Sequence, residues 1–161
     1  MDRLWAPWRR TFLSQRGRRA CIFCVAKRST TDRQHHVIAR GGDAFALLNR
    51  YPYNNGHLMI APYRHVGQLE RLSSVEWTGM LRLSQQLIRR LRQTLHPHGF
   101  NVGLNLGRVG GAGVPGHLHL HIVPRWNGDT NFMPVLGQTK VISQALDELY
   151  MLLTIRRRKT R

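Results

Sequence analysis

Acidic side chains are scarce: 8 Asp and Glu stand against 25 Lys and Arg in 161 residues, a formal net charge of +17 at pH 7. Lysine is scarce as well, because Lys27, Lys140 and Lys159 are the only interruptions among 22 arginines. Such a field concentrates anions, and arginine suits planar, forked contacts with phosphate. Polyphosphates, nucleic acid and anionic lipid are therefore the partner classes that the charge favours. Cysteine is limited to Cys21 and Cys24. Two cysteines cannot build a disulfide framework, and no apolar secretory segment precedes them, so a reducing, cytoplasmic compartment is expected. No apolar run approaches the roughly 20 residues that span a bilayer, which excludes an integral membrane protein. A mean hydropathy of -0.37 with 42% hydrophobic residues excludes a disordered chain, and 18.6 kDa allows one domain.

Three segments divide the chain. Residues 1–20 carry six arginines but also Trp5, Trp8, Phe12 and Leu13, which read as anchors docking a basic segment onto the body rather than as a transit peptide. Residues 21–154 form the body, and 155–161 are a basic tail. Within the body, two apolar runs at 44–50 and 57–63 flank the turn-like YPYNNG and predict an antiparallel strand pair. Trp77, Met80, Leu81, Leu83, Leu87, Ile88 and Leu91 recur at helical spacing. Ser73 with Glu76 predicts a capping box ahead of them, and Pro97 with Gly99 a stop near Leu95. Strands are predicted at 100–107 and 117–126, and a helix over 138–153. These elements together predict an α+β domain on an antiparallel sheet.

The informative segment is His117-Leu118-His119-Leu120-His121-Ile122-Val123. Alternation of histidine with aliphatic residues fits a strand whose leucines face the core. The three imidazoles then line one open face, about 7 Å apart at alternate positions. Neighbouring imidazoles resist simultaneous charging, so some stay neutral near pH 7 as nucleophile or ligand. A three-histidine metal site is the rival reading, weakened because alternate residues on a flat strand splay apart. Five glycines among residues 106–116 precede the row. Backbone amides freed of side chains can cradle a phosphate there, with Arg108 as a charge clamp. Cys21-x-x-Cys24 has the spacing of half a zinc knuckle.

These motifs, with CIFC upstream, LLNRYPYNNGHLMIAPYRHV in the middle and VPRWNGDTNFMPV behind, resemble the histidine triad (HIT) superfamily. The likeness is to its bacterial branch of diadenosine tetraphosphate phosphorylases and HIT proteins of unassigned substrate, and it runs from about Arg3 to Leu153. It implies a HIT fold of about five antiparallel strands with flanking helices, usually as a homodimer joining two sheets. By the same resemblance His119 is the nucleophile that attacks the α-phosphorus. The backbone carbonyl of His117 fixes its tautomer, and His121 assists the leaving group. Asn49 matches a ribose-binding position and Asn105 a phosphate-site position, while Trp126 stacks on a base or walls off the site. Zinc-bearing relatives supply His65 and His117 as partners for Cys21 and Cys24 around a structural Zn²⁺.

One departure stands out. Where many members of the superfamily carry a Gln or Ser shortly before the triad, this chain has Gly113-Val114-Pro115-Gly116, leaving only the amides of Gly113 and Val114 for phosphate. The acceptor is thereby open: water, giving a hydrolase, or orthophosphate, giving a phosphorylase. The reading is an enzyme that cleaves dinucleoside polyphosphates through a nucleotidyl-histidine, with Arg64 and Arg125 as further candidates. The alternatives are a nucleoside phosphoramidase, an adenylated-end hydrolase held on nucleic acid by the Arg-rich ends, and a non-catalytic nucleotide sensor. Nucleic acid is the less favoured partner, because no basic face interleaved with aromatics is visible.

Overall fold

The computed structural model describes residues 20–131 and 142–154. The expectations for the N-terminal segment to residue 19, for 132–141 and for the tail at 155–161 lie outside them. In chain order come α1 (Ile22–Arg28), β1 (Val37–Arg40), β2 (Ala44–Leu48), β3 (Leu58–Pro62), α2 (Ser74–Leu95), β4 (Gly99–Leu104), β5 (Leu120–Arg125) and α3 (Leu146–Thr154). All five strands pair antiparallel in one sheet, in the order β1-β2-β3-β5-β4. This is the α+β architecture that the sequence predicts.

Alternation along the strands gives the sheet two apolar faces. On one, Ala44, Ala46, Leu48, Leu58, Ile60, Leu120 and Ile122 pack against Met80, Leu83, Leu87 and Leu91 of α2 and Leu149 and Leu153 of α3. The other face, with Phe45, Leu47, Met59 and Ala61, is covered by Phe23 and Ala26 of the seven-residue α1. Each fully buried Leu, Ile or Phe contributes about 1.5–3 kcal/mol, so both coverings are needed to keep the central strands dry.

Helix α2 begins where the sequence predicts. The Ser73 hydroxyl accepts from the Glu76 N–H at 3.2 Å, and the Glu76 carboxylate accepts from the Ser73 N–H at 2.9 Å. Arg64 forks onto the same carboxylate at 2.9 and 2.7 Å, and His96 ends the helix in the left-handed region.

The starts of two elements differ from the sequence reading. Strand β5 starts at Leu120 rather than at 117, because the His117 N–H bonds to Val114 O and the Leu118 N–H to Val66 O. Those two bonds tie the first half of the histidine row to loops instead of to the ladder. Helix α3 starts at Leu146, so Ile142 lies ahead of it. Two elements, α1 and β1, have no counterpart in the sequence reading.

Candidate active site and metal cluster

His121 stands in β5 opposite Met59 of β3 and Gly103 of β4. His119 and His117 precede it just outside the strand. The open row predicted from sequence is instead a buried one: His117, His119 and His121 are 0, 5 and 8% exposed. The cover comes from remote segments. Phe23 of α1 lies 4.8 Å from the His119 ring and 5.0 Å from His117, and Tyr53 stacks 5.8 Å from His121. The rings also part company, which removes the three-histidine metal site. His117 turns to the cysteines, and His121 to His57.

Hydrogen bonds to groups of fixed character settle the tautomers. The carbonyl of His117 can only accept, so at 2.8 Å His119 Nδ1 carries the proton and Nε2 holds the lone pair. Burial pulls the His119 imidazole below its ordinary value, opposed by that bond to His117. Similarly, the Pro62 carbonyl accepts from His117 Nε2 at 2.9 Å, which leaves Nδ1 bare toward the two sulfurs. At the other end, the Tyr53 N–H donates to His57 Nδ1 at 3.0 Å. His57 Nε2 is therefore the donor to His121 Nδ1 at 2.8 Å, and the proton of His121 resides on Nε2. The site thus pairs a bare nitrogen on His119 with a donor on His121, their ring centroids 4.8 Å apart.

The second cluster has four donor atoms, from Cys21, Cys24, His65 and His117, all within 4.8 Å of one another. His117 Nδ1 lies 3.4 Å from Cys21 Sγ and 3.7 Å from Cys24 Sγ, and His65 Nδ1 lies 3.3 Å from Cys24 Sγ. Two thiols and two imidazoles make the donor set of a closed tetrahedral zinc site. The carbonyl of Pro62 orients the His117 ring as an outer partner of a metal ligand does. Burial pushes the Cys21 thiol up, so a thiolate there needs a cation beside it. The residues fit the metal.

The remaining candidates divide. Asn49 spends its amide locally, with Oδ1 accepting from the Tyr51 N–H at 2.9 Å and Nδ2 lying 3.3 Å from His57 Nδ1. Asn105 Nδ2 donates to Gly111 O at 3.5 Å and lies 3.5 Å from His121 Nε2, so two N–H donors flank one another at the site rather than bonding together. In the glycine loop Gly113 is exposed, while Val114 packs into the apolar cluster under α1. Trp126 is half-buried just past the end of β5, in a turn closed by the Asp129 N–H on its carbonyl. Neither suggested arginine offers an uncommitted charge: Arg64 is forked onto Glu76 and Arg125 onto Asp129.

A profile of the HIT domain family matches residues 30–128. The chain belongs to the HIT family. An AP-4-A phosphorylase of Mycobacterium tuberculosis is 41% identical over 161 residues, spanning 95% of this chain and 83% of that protein. A Zn-bound histidine triad family protein from Mycobacterium smegmatis superposes with a TM-score of 0.66 at 27% identity, covering 84% of this chain and 91% of that one. Diadenosine triphosphate hydrolase from Plasmodium falciparum shares the fold, with a TM-score of 0.62 at 18% identity over 77% of this chain and 76% of its own.

Within this HIT domain the sequence reading passed over Tyr53 and Asp129 and put His57 no closer than the core or the surroundings of the site. Tyr53 covers His121 and fixes the tautomer of His57 through its N–H. Asp129 accepts from Asn54, from Arg125 twice and from the Trp126 N–H, which anchors the turn after β5. His57 alone carried a local signal, a histidine in the otherwise apolar run 57–63.

Proposed function

We propose that this HIT protein is an enzyme that splits dinucleoside polyphosphates at the α-phosphate, with His119 as nucleophile. The observation that carries this is the 2.8 Å bond from His119 Nδ1 to the His117 carbonyl, which leaves a neutral Nε2 lone pair beside a histidine donor. Nε2 forms a bond to the α-phosphorus while the bond from phosphorus to the bridging oxygen breaks. The electron pair leaves with that oxygen, and His121 Nε2–H donates a hydrogen bond to it. A phosphate leaving group departs as an anion, so no proton has to follow it. The His117 carbonyl meanwhile holds the Nδ1 proton of the nucleotidyl-imidazolium.

Orthophosphate or water then attacks phosphorus and regenerates His119. Water must shed a proton in doing so, whereas orthophosphate arrives as an anion. The AP-4-A phosphorylase relative favours orthophosphate. Asn105 and the amides of Gly113 and Val114 serve the phosphate side, Asn49 the ribose side and Trp126 the rim. Incubation with diadenosine tetraphosphate, with and without orthophosphate, tests the reading. ATP plus ADP formed only with phosphate identifies a phosphorylase, ATP plus AMP in water alone a hydrolase, and an untouched substrate refutes the proposal.

Cys21, Cys24, His65 and His117 would hold Zn²⁺, which when bound supplies a structural cross-link and no open coordination position. Through them α1, the segment after β3 and the approach to β5 become one unit, and the backbone of His117 is set where His119 needs it. Thiols kept for a metal fit a reducing cytoplasm, and no helix among the described residues is long and apolar enough to cross a membrane. A homodimer would use β4, which ends the sheet and exposes Val102. Light scattering on the purified protein gives its mass directly.

A further inference from the structure

The triad face continues beyond the histidines. His121, Val123 and Arg125 alternate along β5 for about 14 Å, with Gly103, Asn101 and Gly99 opposite them in β4. Gly103 faces His121 without a side chain, and a Cβ placed there would meet nothing within 4 Å. The sheet surface beside His121 is therefore free of side chains at that position. Beside it opens a cavity of about 360 Å³ bounded by Tyr53, Asn101, Val123, Arg125, Asp129 and Thr130, a size within the usual range for small-ligand sites. Tyr53 belongs to both places: its ring lies 25° from parallel with His121 and also forms a wall of the cavity.

The walls are set before any ligand arrives. Arg125 forks onto Asp129 at 2.6 and 2.9 Å and donates to Asn101 Oδ1 at 2.7 Å, which joins β5, β4 and the following turn. The same ion pair cancels the local charge. A pocket with one aromatic wall, amide and hydroxyl groups and little net charge suits a nucleoside better than a bare phosphate chain. In-line displacement places the leaving oxygen opposite His119 Nε2, and the reaction proposed above gives that oxygen to the His121 donor. The reaction proposed above gives the transferred ribose to Asn49 on the β2 side, which leaves the β4 side of His121 for the departing half.

We propose that the cavity between Tyr53, Asn101, Arg125 and Thr130 is the subsite for the nucleoside of the leaving half, which makes the enzyme select dinucleotides over mononucleoside polyphosphates. This rests on the reaction proposed above. The test compares kcat/KM for diadenosine tetraphosphate and adenosine 5′-tetraphosphate, each with orthophosphate, in wild type, Asn101→Ala and Thr130→Trp. Thr130 is exposed, so the indole blocks the cavity without disturbing the core. In each variant the dinucleotide-to-mononucleotide ratio is expected to fall about tenfold, the equivalent of a lost stack or hydrogen bond. An active wild type whose ratio stays the same in both variants overturns the subsite alone. A wild type inert on both nucleotides overturns the reaction, and the subsite with it.

Discussion

The two faces of the sheet are equally buried but differently built. Under α2 and α3 the fully buried side chains of the cluster are aliphatic, and among the described residues Ser84, buried in α2, bonds back to Met80 O at 2.7 Å within its own helix. Under α1 and the 51–56 loop four histidines are buried, and each imidazole is bonded to a group on another segment or, for His119, to the carbonyl of His117. Aliphatic packing tolerates exchange of one side chain for another of like volume. A chain of oriented imidazoles does not, because each tautomer is set by the next partner. Stability and chemistry are thus divided between the faces, and substitutions should separate them.

The widest separation is expected between His119→Ala and Leu87→Ala. Without the His119 nitrogen no nucleotidyl intermediate forms, so turnover should fall by three or more orders of magnitude while nucleotide affinity stays within about tenfold. Leu87→Ala leaves a void under α2 and should cost about 2–5 kcal/mol of stability, with kcat/KM at low temperature little changed. Denaturant melts alongside single-turnover kinetics decide the matter. Should both variants lose activity and stability in the same proportion, the faces are not divided in this way.

The metal cluster should give the next largest effect, on both properties together, because His117 belongs to the cluster through its ring and to the nucleophile through its carbonyl. Freshly purified protein is expected to carry about one zinc ion per chain, and Cys24→Ser to lose it and melt several degrees lower. Metal analysis without zinc in the wild type would detach the cluster from stability. His57→Phe should act more narrowly. It keeps an aromatic ring but withdraws the donor to His121 Nδ1, and kcat is expected to drop about 10–100-fold with KM nearly constant, the scale of losing an outer-shell orienting bond. An equal change in kcat and KM would make His57 part of nucleotide binding instead of a positioning residue.

The helix-covered face was largely legible from sequence, and the other only in part. Helix α2 announces itself because its cap, its stripe of Met80, Leu83, Leu87 and Leu91 and its stop are all local. The histidine row is local too, and the ring partner of the zinc donors came through resemblance. Burial of the row was not legible, since Phe23 and Tyr53 reach it from far along the chain. Helix α1 has seven residues and no side-chain cap at Cys21, and β1 has four residues with an irregular register between Val37 and Ala39. Neither segment is long enough for a period to declare itself. Asn49 came as a ribose position through resemblance, and nothing in the sequence reveals that its amide is also engaged by Tyr51 and His57.

The smallest expected effect concerns the helix-covered face alone. Glu76 is held down to about 2, first by the Arg64 guanidinium and further by the Ser73 N–H and hydroxyl, against the opposing effect of burial. A carboxylate whose folded value lies below the unfolded one of 4.5 adds stability that is fully present above pH 4.5. That contribution is lost as the pH falls through about 2, because the unfolded chain takes up the proton first. Glu76→Gln removes the charge but keeps an acceptor for the Ser73 N–H. The variant should be slightly less stable than wild type at pH 7, and the gap should close on acidification toward pH 2. The histidine chain lies on the other side of the sheet, so nucleotide turnover at pH 7 should be the same in both proteins. A gap that stays constant as the pH is lowered would mean that the ion pair with Arg64, exposed at one end, contributes nothing and that the cap alone holds the start of α2.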